Sequence, residues 1–186
     1  MSELTLKTRI ATSSRILMVD DEESNVVVLE RLLRQAGYVN IHGTTDSRTA
    51  VPLYNQISPD IVFLDLHMPD PNGFELLEHF SKVRPNEGPY VPILVLTADV
   101  TPGTKLKALA LGANDFLTKP IERCELLLRT RNLLETRFLH RELVDASARY
   151  EELRRRASDA ETSNQLLLEK LTRSGEYAKL ETMLRP

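Results

Sequence analysis

The sequence predicts an α/β fold, a doubly wound five-stranded parallel sheet followed by one long helix that forms a coiled coil. Three observations carry this reading. Residues 15–121 alternate short apolar runs with amphipathic segments, the pattern of strands joined by crossover helices. Five such alternations imply a parallel sheet covered on both faces. After Pro120 the strand signal stops, and residues 121–172 contain neither proline nor glycine, so they read as a single helix.

The elements follow in order. "RILMVD" (15–20) is an apolar run closed by a carboxylate. "EESNVVVLERLLRQAG" (22–37) repeats apolar residues at threes and fours and stops at Gly37, as helices do. "NIHGT" (40–44) reads as the second strand. "DSRTAVPLYNQ" opens on Asp46, a good helix cap, although Pro52 inside it argues against an unbroken helix. "DIVFLD" (60–65) is a buried strand ending in Asp65, and "GFELLEHFSKVR" (73–84) is the next helix. "PILVLT" (92–97) is the fourth strand. "TPGTKLKALALG" (101–112) places Thr101 as N-cap and Pro102 at the first helical position. "DFLT" (115–118) completes the sheet. Cys124, on the last helix, is read as a packing residue.

Composition narrows the class. Hydrophobic residues make up 41% and charged residues 27%, which are globular values, and the net charge of −3 does not favour a polyanion partner. One cysteine excludes an internal disulfide framework and fits a reducing compartment. No apolar run nears the ~18 residues of a membrane span. The opening "MSELTLKTRIATSS" lacks a signal-peptide core, so residues 1–13 are read as a flexible polar arm. A cytoplasmic protein is expected, with neither membrane nor nucleic acid as partner; "RRR" (154–156) reads as a solvated helix face.

The long helix carries a heptad. Leu139, Leu143, Ala146, Tyr150, Leu153, Ala157, Ala160, Asn164, Leu167, Leu171, Ser174 and Ala178 are spaced alternately by four and three, and ten of these twelve are apolar. Leu139, Leu153 and Leu167 take d positions, and Asn164 takes an a position, which favours a two-stranded parallel coil in one register. Charge supports pairing only weakly: Arg149 and Arg154 would oppose each other across a parallel dimer, while Arg156 and Glu161 would attract. The expectation is a homodimer with its coil from about residue 139 to 173. Residues 174–186 are then a tail or the start of an output domain.

Ligands of open parallel sheets bind beyond the carboxyl ends of the strands. There the sequence places Asp20, Asp21, Asp65, Thr97 and Lys119, the last before Pro120. Three converging carboxylates repel unless a cation joins them, and an all-oxygen set points to magnesium. Lys119 and Thr97 add a positive charge and a hydroxyl, which suit an oxyanion. Phosphoryl transfer to Asp65 meets both demands.

The motifs "VDDE" (19–22), "LDLHMPDPNG" (64–73), "LTA" (96–98) and "DFLTKP" (115–120) resemble the receiver domain of two-component response regulators, over about residues 14–124. The resemblance implies a flavodoxin-like sheet in the order 2-1-3-4-5. It implies that Asp65 accepts phosphate from a sensor histidine kinase or phosphotransfer protein. Asp20 and Asp21 would hold Mg2+ (or Mn2+) together with Asp65 and the His67 backbone carbonyl. Thr97, Ala98 and Lys119 would contact the phosphoryl group, and Phe116 would be the switch aromatic. The Lys119–Pro120 bond would be cis. The switch is Phe where Tyr is common, and Pro71–Asn72 should stiffen the turn. His67 and Asp99, each two residues past a site residue, are expected to set the lifetime of the phosphoryl group.

Other functions fit less well. An aspartate-nucleophile phosphohydrolase usually carries a second Asp where this chain has His67. A flavin site needs a Ser/Thr/Gly-rich phosphate loop, and "DDEES" would repel the phosphate. His42, His79 and His140 share no metal-site spacing and read as surface residues. A non-enzymatic switch with slow self-dephosphorylation is therefore expected. The segment 127–143 looks like the helix that joins receivers to cyclic-di-GMP phosphodiesterase (HD-GYP) domains, so a receiver fragment of such an enzyme is an alternative.

Overall fold

Within each strand, alternate residues face opposite sides of the sheet, and here both sides are apolar. The structure, a computed structural model, describes residues 3–82, 90–99 and 101–173. Strands β1 (Arg15–Val19), β2 (Asn40–Thr44), β3 (Ile61–Asp65), β4 (Ile93–Thr97) and β5 (Asp115–Thr118) form one parallel sheet in the order β2-β1-β3-β4-β5. The helices are α1 (Glu3–Ser13), α2 (Glu23–Gln35), α3 (Ser47–Ile57), α4 (Gly73–Lys82), α5 (Pro102–Ala110) and α6 (Arg123–Arg173).

The sheet's two faces build two cores. Leu17, Val19, Val62, Leu64, Ile93 and Val95 pack with Ala50 of α3, Leu76, Leu77 and Phe80 of α4, and Ala108 of α5. Ile16, Met18, Ile61, Phe63, Leu94, Leu96 and Leu117 pack with Leu29 and Leu33 of α2 and Leu126 and Leu134 of α6. Doubly wound topology is thus written in the parity of the strand residues. α2 ends where Gly37 takes a φ of +93°, a left-handed value that costs glycine little. α3 tolerates Pro52 in its interior, losing only the bond that residue 52 would donate to the Arg48 carbonyl. Asp46 caps α3 by accepting from Arg48 N at 3.0 Å.

Residues 3–13 are not an arm without regular structure but helix α1. Its anchor is Ile10, 3% exposed within the α2–α6 core. Arg9 lies over the Phe138 ring at 4.4 Å, and Asn40 Nδ2 donates to the Thr12 carbonyl at 3.0 Å. One buried isoleucine, worth ~1.5–3 kcal/mol, docks a segment that shows no apolar stripe. Cys124 is exposed rather than packed. Residues 83–84 of the helix expected at 73–84, Ser174 and Ala178 of the heptad, and the tail 174–186 lie outside the described residues.

Among the described residues, the chain up to Arg141 forms one compact unit and the stretch from Glu142 onward a second. The first unit includes the opening turns of α6, which bury Leu126, Thr130, Leu134 and Arg137. The second is the remainder of α6, amphipathic but exposed.

Tyr38, 6% exposed beside this core, gives a stability prediction. Burial pushes its phenol up from 10.0 to about 12, with Arg131 opposing and Glu135 adding to the shift. The folded value lies above the unfolded one, so this contribution is intact below pH 10 and is lost as pH rises toward about 12. The loss amounts to about 2–3 kcal/mol. Denaturant unfolding at several alkaline pH values should show wild type losing stability more steeply than Tyr38→Phe, by that amount across the window.

Candidate functional site

The register of β1 with β3 pairs Val19 with Leu64, so the next residues, Asp20 and Asp65, leave the sheet side by side. Asp20 is 2% and Asp65 4% exposed, while Asp21 is exposed. One carboxylate oxygen from each of the three lies within 4.8 Å of the others. Like charges this close must be balanced.

Lys119 supplies the first counter-charge. Its Nζ lies 2.9 Å from Asp65 Oδ2, to which it donates a hydrogen bond, and 2.8 Å from Asp20 Oδ2. Burial pulls the Lys119 ammonium down, but its contacts with Asp20 and Asp65 outweigh that and hold its pKa above the ordinary lysine value. The backbone brings it there: Lys119 N donates to the Thr97 carbonyl at 2.9 Å, and the Lys119–Pro120 peptide is cis, as is Asp70–Pro71.

The other acceptors are partly satisfied. Asp65 Oδ1 accepts from His67 N at 3.2 Å. Asp20 Oδ1 accepts from Glu22 N at 3.1 Å and Asn25 Nδ2 at 2.9 Å. Asp20 Oδ2 is buried and has the 2.8 Å ion pair with Lys119 as its polar contact. Three acidic residues, one lysine and an under-coordinated buried oxygen fit a hard divalent cation. Among the described residues this is the one cluster of its kind.

The turn after β3 is built around Gly73. A Cβ there would lie 2.0 Å from the Asp65 carbonyl oxygen and 2.5 Å from Leu66 Cα, so only glycine lets α4 begin so close to the strand end. Asn72 caps that helix: its Oδ1 accepts from Phe74 N and Glu75 N, and Glu75 Oε2 accepts from Asn72 N in return. The "PNGFE" string therefore fixes the backbone that carries Asp65.

Thr97 is buried at the end of β4. Its hydroxyl donates to the Asp99 carbonyl at 3.2 Å and accepts from Asp99 N at 3.0 Å, closing a local turn. Asp99 is committed to the same loop, accepting from Thr104 Oγ1 at 2.5 Å and Thr101 N at 2.9 Å. The Thr104 bond is the main reason its pKa is low, with Thr101 adding to it and His67 a smaller cause. Ala98 and His67 are exposed. Phe116, pairing with Val95 on β5, is half-buried with the Lys105 ammonium 4.9 Å from its ring centre.

Two features escape a reading by motif. Asn25, in the first turn of α2, holds Asp20 in place. Asp115, next to Phe116 in sequence, pairs with Arg129 Nη1 at 2.6 Å, and Arg129 also pairs with Glu125 at 2.6 Å. β5 is thereby tied to α6. A short polar residue before "FLT" and an arginine in a helix carry no spacing that could reveal this.

On α6 the heptad residues from Leu139 to Leu167 are all exposed; Leu171 is half-buried. Leu139, Leu143, Tyr150, Leu153 and Leu167 are 57–68% exposed.

Residues 16–131 match the family model described as the response regulator receiver domain. The chain is 38% identical over 126 residues to response regulator PleD of Caulobacter vibrioides, covering 68% of this chain and 27% of PleD. Over 108 residues it is 33% identical to chemotaxis protein CheY of Thermotoga maritima, covering 58% of this chain and 87% of that protein. The crystal structure of Vibrio cholerae chemotaxis protein CheY4 superposes with a TM-score of 0.58 at 29% identity, over 66% of this chain and 99% of that one. The chain thus spans about a quarter of the length of PleD. No helix among the described residues is long and apolar enough to cross a membrane.

Proposed function

Because this chain belongs to the response regulator receiver family, we propose that it is a phosphorylation-dependent switch in which Asp65 takes a phosphoryl group from a phosphohistidine. The donor is a sensor histidine kinase or a phosphotransfer protein in the cytoplasm. The observation that carries this reading is Lys119 bridging Asp20 and Asp65 at a sheet edge where three carboxylates converge. A carboxylate oxygen of Asp65 attacks phosphorus, the P–N bond breaks as the P–O bond forms, and the histidine, already protonated on its other ring nitrogen, leaves as neutral imidazole with the P–N electron pair.

Asp20, Asp21, Asp65 and the His67 carbonyl would hold a magnesium or manganese ion. When bound, it supplies positive charge against the carboxylates and the incoming phosphoryl oxygens. Lys119 holds Asp65 before transfer and one phosphoryl oxygen after it. Thr97 reaches the phosphoryl group only by releasing its turn with Asp99, so phosphorylation reshapes the loop before α5. Phe116 follows inward, away from Lys105, and Asp115–Arg129 relays the β5 shift to α6. The output is the pairing geometry of α6 helices in a parallel dimer. On this reading the protein is a switch with slow self-dephosphorylation, not a turnover enzyme.

Mass spectrometry after incubation with acetyl phosphate and magnesium tests it. The expected product is a single, persistent phosphoryl adduct on Asp65 that hydroxylamine removes. Rapid multiple turnover with no adduct would instead indicate a phosphohydrolase. A second expectation concerns lifetime. His67→Ala should change the dephosphorylation rate severalfold, because His67 is exposed beside the site. Asp99→Ala should act more weakly, since both Asp99 carboxylate oxygens already serve the α5 cap. Decay of the adduct, followed by phosphate release, measures both.

A further inference from the structure

At the opposite edge of the sheet, before β3 begins, a small polar cavity of about 10 Å³ is lined by Ser13, Ser14, Asp60, Leu134, Arg137, Phe138 and Arg141. Its charge does not balance. Asp60 is the one carboxylate in the lining against two arginines, Arg137 and Arg141, and Arg15, outside the lining, also reaches it. Arg137 Nη2 is 3.5 Å and Arg141 Nη1 is 3.7 Å from Asp60 Oδ1, and Arg15 Nε is 3.7 Å from Asp60 Oδ2. Asp60 Oδ2 already accepts from Arg15 N at 3.0 Å.

Arg137 is the residue that asks for a ligand. It is 6% exposed, yet its Nε and Nη1 are buried and make no hydrogen bond. Burying a guanidinium with two idle donors is costly unless an acceptor meets them. Burial is also the main reason its pKa falls below the ordinary arginine value, against the pull of Asp60. A cavity of this volume admits one water-sized particle. A water could accept one of these bonds but leaves the excess positive charge uncompensated; a monatomic anion answers both demands.

We propose that this cavity binds one small anion of halide size, chloride being the abundant candidate, held by Arg137 with Arg141 at the mouth. The anion fastens the α6 turn around Arg137 to the edge that carries Asp60. Arg141, whose side chain is 43% exposed, guards access.

Thermal unfolding at constant ionic strength, with chloride exchanged stepwise for gluconate, tests this. Wild type should gain about 2–4 °C at about 0.3 M chloride over gluconate. Bromide should substitute for chloride. The gain should vanish in Arg137→Gln and shrink in Arg141→Gln, a change at an accessible side chain that keeps the fold even if the first variant does not. Chloride-35 line broadening by wild type, reduced in Arg141→Gln, is the independent readout. Equal melting in chloride and gluconate, or a chloride effect untouched in Arg141→Gln, would overturn the proposal and leave a water-filled cavity.

Discussion

Asp65→Asn is expected to abolish the phosphoryl adduct completely while leaving the protein folded. The amide keeps the volume of the carboxylate, and its oxygen can still accept from His67 N, which now bonds Asp65 Oδ1 at 3.2 Å. Lys119 retains Asp20 Oδ2 at 2.8 Å, so no buried charge is stranded. An amide oxygen is too weak a nucleophile to displace imidazole, and no other described carboxylate shares the position between Asp20 and Lys119. Asp20 lies nearby but is committed to Glu22 N and Asn25 Nδ2. Stability should stay within about 1 kcal/mol of wild type, since one attraction to Lys119 and two repulsions are removed together. Removing one of three acidic ligands should also weaken magnesium binding, so the rise in melting temperature on adding magnesium should be smaller than in wild type. Intact-mass measurement reads the first effect and a magnesium titration by melting temperature reads the second. Labelling of Asp65→Asn at the wild-type level would place the acceptor elsewhere.

The site was legible because its chemistry lies at strand ends, and strand ends are what alternating apolar runs mark most sharply. "IVFLD" becomes β3 with all five residues buried, and the sheet edge does the rest. Less legible was what positions these groups. The Asn72–Glu75 cap can be recognised in "NGFE" once a helix is assigned there, but the need for Gly73 follows from a 2.0 Å approach to Asp65 O that only coordinates reveal. Helix α1 was missed because its apolar residues, Leu4, Leu6, Ile10 and Ala11, are interleaved with polar ones without a clear helical period; among the residues whose burial is described, Ile10 is the one buried in the core. The buried Arg137 was missed for the opposite reason. In "LLETRFLHREL" it reads as part of a solvated face, and only the far edge of the sheet, with Asp60, makes it an interior residue. Pro52 misled mildly: a lost backbone bond in a helix already capped by Asp46 and packed through Ala50 is affordable.

The largest effect on assembly is expected from paired substitutions at d positions of α6. Leu153 is 64% and Leu167 57% exposed, and neither belongs to the apolar clusters of the described residues. A helix whose regular apolar stripe faces water is marginal alone and is stabilised by covering that stripe. On the proposed reading, the heptad spacing with Asn164 at an a position makes a second copy of the same helix in parallel register the expected cover. Glu152 pairs with Arg155 and Arg156 along its own helix; Arg156 is also the residue that would attract Glu161 across the seam, so charge adds little to pairing and the apolar stripe carries it. Leu153→Asp with Leu167→Asp removes four leucines from each dimer seam, each worth ~1.5–3 kcal/mol when buried, and would bury four carboxylates instead. The dimer constant should weaken by at least about four orders of magnitude, giving monomer in sedimentation at micromolar concentration. The Asp65 adduct should still form, because both substitutions lie beyond the compact unit that ends at Arg141. Asn164→Leu should act in the other direction, tightening association while loosening register, so that species larger than a dimer appear. A wild-type monomer under the same conditions, with Asn164→Leu unchanged, would separate the receiver from any coiled-coil output and leave Asp115–Arg129 coupling to be sought in another partner.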